Sequence, residues 1–111
     1  MGLDQYAFAR KDDKQIEIAY WRKHANLEGW MANLYKVRSP SEADHSFNCV
    51  ELKLFEGDLL RLAKEHESLE QAEGFFWGTS HQEDVVSTQA FIDKAGVLIK
   101  DGWEIIYTSW W

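Results

Sequence analysis

Apolar and polar residues alternate with a period of two over residues 3–9, 15–22, 50–54 and 103–107, and each stretch reads as a half-buried strand. Tyr6 and Phe8 fall on one face of the first, and the polar run Lys11-Asp12-Asp13-Lys14 predicts a turn into the second. In that second strand Ile16, Ile18, Tyr20 and Arg22 share a face opposite Ala19, Trp21 and Lys23, so the buried-looking face ends in a guanidinium. The spacing changes to three and four at Leu27, Trp30, Met31 and Leu34, which predicts a helix over about 27–37 with Asn26 as its N-cap. Gly57-Asp58 opens a second helix with the stripe Leu59, Leu62, Ala63 and His66. A third follows the capping box Ser80-His81-Gln82-Glu83 and carries Val85, Thr88, Phe91, Ile92, Ala95, Leu98 and Ile99 inward as far as about residue 101, where Gly102 suits a left-handed C′ position. Gly74-Phe75-Phe76-Trp77-Gly78, an aromatic run between glycines, reads as a further strand or tight crossing.

The order β-β-α-β-α-β-α-β predicts one α+β domain over residues 1–111, with a mainly antiparallel sheet of about five strands and three helices. The first and last strands are expected to be sheet neighbours. Residues 38–48 hold the one proline and no periodicity, and read as the longest loop.

Composition narrows the function classes. Six Trp, six Phe and four Tyr supply large buried areas to a domain of this size. One cysteine, Cys49, excludes an internal disulfide framework, and it reads as a small buried hydrophobe. No basic and apolar leader and no apolar run of roughly twenty residues is found, so a cytoplasmic protein with no membrane role is expected. Net charge is −7 and uneven: residues 1–38 carry seven Lys/Arg against five Asp/Glu, and the remainder five against fourteen. That balance disfavours direct nucleic-acid binding and suits a partner with a basic surface; the plainer reading is that acidic helix faces keep the chain soluble.

The segments Met1-Gly2-Leu3-Asp4-Gln5-Tyr6, Tyr20-Trp21-Arg22-Lys23, Leu27 through Trp30-Met31, Asn48-Cys49, Gly74-Phe75-Phe76-Trp77-Gly78 and Tyr107-Thr108-Ser109-Trp110, in this order, span nearly the whole chain. Together they resemble a family of small bacteriophage and prophage proteins that often carry the label phosphoglycerate kinase. Such relatives commonly have a His where this chain has Glu28. The kinase label fails on physical grounds, because one small domain without a glycine-rich phosphate cradle cannot close over two substrates. What the resemblance implies is a protein of a phage that acts on its bacterial host by binding something.

Two sets of residues carry binding hypotheses. Acidic helical positions Glu65, Glu67, Glu70 and Glu73 can stand in for phosphates on a basic groove of a host protein, such as an antiviral defence component, with Trp111 as the desolvated anchor. The alternation sends Trp110 and Trp111 to opposite faces, so at least one is exposed. Alternatively Tyr20, Arg22, Lys23, His24 and Trp30 form a nucleotide-sequestering site, in which the guanidinium grips phosphate and an indole stacks on the base. The plainer reading of this cluster is core aromatics with cations paired to Asp4, Asp13, Glu17 or Glu28. His24, His45, His66 and His81 lack metal-ligand spacing, His66 reads as a core histidine, and no cofactor or metal is expected. Enzymatic activity would need His24 and Cys49 brought together, and no motif supports it. Strand termini and spare Trp surface allow a homodimer.

Overall fold

The computed structural model describes residues 2–39, 49–66 and 82–111, of which 82–84 by backbone only. The elements are β1 (Asp4–Lys11), β2 (Lys14–Arg22), α1 (Ala25–Arg38), β3 (Leu52–Leu54), α2 (Glu56–Glu65), α3 (Gln82–Lys100) and β4 (Glu104–Trp110). The strands form an antiparallel sheet in the order β2-β1-β4-β3, so the first and last strands are the central pair. The fold is α+β, with four strands among the described residues; the fifth expected over 74–78 lies outside them, as do the capping box at Ser80 and most of the 38–48 loop.

Three helices cover one face of this sheet. Ala7 and Ala9 in β1 are fully buried. Leu27, Met31, Leu34 and Tyr35 of α1, Leu59 and Leu62 of α2, and Phe91, Ile92 and Ala95 of α3 close over them in one core with Trp21, Leu52, Leu54, Ile105 and Tyr107. The periodicity therefore located the buried stripes of α1 and α3, although Trp30, Leu98 and Ile99 end up only partly buried and Ala63 of α2 exposed.

Departures from the expected pattern have local causes. The β1–β2 hairpin turns through Asp12-Asp13, with Asp12 in the left-handed region at φ 55°, which short polar side chains tolerate. A bulge interrupts the β1–β2 register: Ala7 pairs with Ala19 and Phe8 with Glu17, leaving Ile18 as the extra residue. The alternation therefore breaks inside β2, and Ile16 pairs with the inward-facing Ala9 instead of sharing a face with Tyr20 and Arg22. The buried face of β2 is the one that carries Trp21, and the guanidinium of Arg22 lies on the other. The α1 helix starts at Ala25 with His24 in the cap position, so Asn26 is not its N-cap. Cys49 is exposed with φ 63°, correcting its reading as a buried hydrophobe; its amide donates to the Ser109 carbonyl at 2.7 Å.

Candidate functional site

The two faces of the sheet carry two different polar arrangements. Beneath the helices, the Gln5 carboxamide lies against the His24 peptide: its Nε2 donates to the His24 carbonyl at 3.0 Å and its Oε1 accepts from the His24 amide at 2.8 Å. That pair of bonds fixes the chain where β2 turns into α1, just past Lys23, whose left-handed backbone (φ 62°) makes the turn. The same Nε2 donates to the Tyr107 hydroxyl at 2.9 Å, and Tyr107 donates onward to Glu28 Oε1 at 2.6 Å. Glu28 Oε2 accepts from Ser109 Oγ at 2.8 Å and from Trp111 Nε1 at 3.1 Å. Gln5, Glu28, Tyr107 and Ser109 are all fully buried. Burial pushes the Glu28 carboxyl above its ordinary range, and the three donors pull it back only in part. Burial, together with the neighbouring Glu28 charge, holds the Tyr107 phenol well above its ordinary value.

The opposite face is aromatic and, among the described residues, open. Tyr6 stacks on Phe8 with ring centroids 6.1 Å apart, and meets Tyr20 and Trp110 at 5.2 Å each. Cross-strand pairing makes this cluster: Tyr6 faces Tyr20 on β2, and Asp4 faces Trp110 on β4. Tyr20 is 47% and Trp110 50% exposed. Ion pairs fringe the cluster. The Asp4 carboxylate accepts from the Tyr20 hydroxyl at 2.7 Å and lies 3.3 Å from Arg22, Arg10 pairs with Glu51, and Lys53 lies 3.1 Å from Glu104. The hydrogen bond to Asp4 holds the Tyr20 phenol above its ordinary value.

The structure disperses the residues expected to hold a nucleotide. Tyr20 and Arg22 lie on the open face, His24 is buried beneath the helices, and Trp30 is half-buried on α1 under the Arg61 guanidinium at 5.3 Å. Arg22 is paired with Asp4, one of the partners the plainer reading named, and Lys23 is exposed on the turn. Of the acidic set, Glu65 is exposed and 3.6 Å from Arg61, whereas Glu67, Glu70 and Glu73 lie outside the described residues. Trp111 is half-buried with its indole bound to Glu28, so it is no free anchor; Trp110 occupies the exposed position that the alternation required of one of the two. His66 is buried and contacts Gln89 at 2.8 Å, as a core histidine should. Among the described residues no three His, Cys, Asp or Glu side chains are placed to hold a metal ion, and no helix is long and apolar enough to cross a membrane.

Sequence reasoning placed Tyr6 and Phe8 on one face but not on the solvent side. Glu28 also left a signal, since it stands three and seven residues before Met31 and Tyr35, on the stripe that α1 buries. Comparisons with protein-family models, curated proteins and solved structures give no match for this chain, so its role is argued from its own chemistry.

Proposed function

We propose that this chain is a non-enzymatic, phage-derived binding protein that inhibits a host protein of antiviral defence by docking it on the aromatic face of the sheet. The observation that carries this reading is the Tyr6-Phe8-Tyr20-Trp110 cluster, which no other described element covers, at the centre of a sheet whose other face holds the three described helices. Exposed Trp and Tyr framed by polar residues are the side chains from which interface hot spots are built. The phage context and the defence role come from the family resemblance. The charge of −7 suits a partner with a basic, nucleic-acid-binding surface. Dispersal of the nucleotide cluster and the pairing of Arg22 with Asp4 remove the support for small-molecule sequestration.

The test is to recover a partner from bacterial lysate with the intact protein, purify it, and measure its affinity for variants and its activity in the presence of each. Trp110→Ala should weaken binding by about thirtyfold or more, and inhibition should fall in parallel. A partner that binds Trp110→Ala and Tyr6→Ala as tightly as the parent overturns the aromatic face as the interface. If charge reversal at Glu65, Glu67, Glu70 and Glu73 alone releases the partner, the interface lies on the acidic surface.

A further inference from the structure

A second surface lies along the outer edge of β2, where it meets α3. The Lys23 amide donates to the Leu3 carbonyl at 2.9 Å, which fixes the phase of hydrogen bonding between β2 and β1. In an antiparallel pair the phase alternates, so Trp21 directs its backbone N–H and C=O toward β1, while Tyr20 and Arg22 direct theirs away from it. Among the described residues no strand pairs with that side of β2. Beside it runs a groove of about 320 Å³ whose walls include Ile18, Tyr20 and Trp21 of β2 and Ala90, Phe91 and Lys94 of α3. Trp21 is 2% exposed, and its indole Nε1 has no hydrogen-bond partner among the described residues. A buried donor left unpaired is costly, and a ligand carbonyl that reached it would remove the cost.

We propose that this edge and groove bind an extended segment of another protein, which adds a strand to β2 and sets alternate side chains against α3. The exposed main-chain groups of Tyr20 and Arg22 supply the ladder, and Ala90 leaves room beside Phe91 for an inserted apolar side chain. Charge selects the segment. In a chain of net charge −7, Lys94 is the one charged residue among the described ones that line the groove, and the exposed Lys23 stands just past the strand's end, whereas Arg22 is paired with Asp4 on the other face. A carboxylate on the incoming strand therefore finds cations, and the segment is acidic with alternating apolar residues. A second copy of this chain fits less well: antiparallel pairing of β2 with itself that matches Tyr20 to Glu17 sets Lys14 against Lys23, like charge against like. The inference goes beyond the proposed function and does not rest on what covers the aromatic face.

The test is selection from a display library of random peptides about eight residues long, matched to a typical strand, against the intact protein. The enriched peptide is then titrated into isotope-labelled protein and followed by NMR. Enriched peptides should alternate apolar and polar residues, carry Asp or Glu, and shift the Tyr20 and Arg22 amides and the Trp21 indole. Ala90→Arg, which fills the groove from an exposed helix position, should abolish binding. Lys94→Glu should weaken it by about fivefold, and a Lys in place of the peptide's acidic residue should restore it. Trp110→Ala should leave it unchanged. The proposal is overturned if nothing is enriched, if the enriched peptides bind Ala90→Arg equally well, if the shifts are confined to the aromatic face, or if sedimentation shows a micromolar dimer that protects the β2 amides.

Discussion

Glu28 illustrates how much a single side chain can depend on its surroundings. Its carboxyl is fully buried and accepts three hydrogen bonds, from Tyr107, Ser109 and Trp111. Replacing it by Ala takes the acceptor from all three of these hydrogen bonds, and Glu28→Ala should cost about 3 kcal/mol, read from denaturant midpoints. Glu28→Gln keeps the shape and an acceptor and should cost less. The pH dependence has a definite sign. Because burial raises the Glu28 pKa above its ordinary 4.5, the folded state holds the proton more tightly than the unfolded chain. This group's contribution to stability is then fully present below 4.5 and is lost as pH rises through the raised value. Thermal melts across that window should show the parent losing stability relative to Glu28→Gln as pH increases; a constant difference between the two would refute the assignment. The sequence offered Glu28 as a possible partner for the cations of the Tyr20-Trp21-Arg22-Lys23 segment. That reading failed for a physical reason: the position of a carboxylate on a helical stripe is visible in a sequence, but the hydroxyls and indole that β4 and the C-terminal residue bring to it come from more than seventy residues away.

Among the elements, α3 and its exit were the most legible. The Gly102 amide donates to the Ile99 carbonyl and the Trp103 amide to the Leu98 carbonyl, both at 3.0 Å, which is a Schellman termination with Gly102 at φ 89°. Gly102→Ala should destabilise by about 1 kcal/mol, because the penalty is one of backbone conformation. The nearest atom to a new Cβ, Lys11 Cε, would be 3.7 Å away, so steric crowding adds little. A variant as stable as the parent in urea would show that this turn can relax. The start of α2 was less legible. It begins at Glu56, and Asp58 in its first turn accepts from the Phe55 amide at 2.8 Å while pairing with Arg38 at the end of α1. Asp58→Ala should therefore cost about 2 kcal/mol, more than loss of an exposed ion pair, and Arg38→Ala measured alone and in combination would separate the two roles through a double-mutant cycle. Phe55 precedes the helix without a capping side chain, so the boundary carries little signal in residue type. The bulge at Ile18 carries none, since the residue types of β2 alternate straight through it and only the backbone pairing with β1 shows where the faces switch.

For the whole molecule, the decisive property is that the described helices lie on one side of the sheet. Aromatic residues at Tyr6, Phe8, Tyr20 and Trp110 fit a core as well as an interface by composition, and they form a surface because, among the described residues, no second layer packs on them. Trp110→Ala should then change unfolding free energy by less than about 1 kcal/mol, whereas Trp21→Ala, which removes a buried ring set edge-on to Phe91 at 5.2 Å, should cost about 3–5 kcal/mol. Equal losses in the two variants would mean that the open face is covered in solution, and concentration-dependent melts would tell whether a second copy covers it.

The sequence by itself determined the strand and helix periods, the α+β class, the left-handed stop at Gly102 and the neighbouring placement of the first and last strands. These follow from residue spacing along the chain and from short-range sterics, which act wherever the segment lies. The tertiary structure alone decided that Trp110 faces solvent while Trp111 turns to Glu28, that Arg22 meets Asp4 on the face away from the helices while His24 goes beneath them, and that β2 is an outer strand among those described. Each of these depends on which layers pack against the sheet and where a bulge resets its register, and those are properties of contacts between segments far apart in the chain.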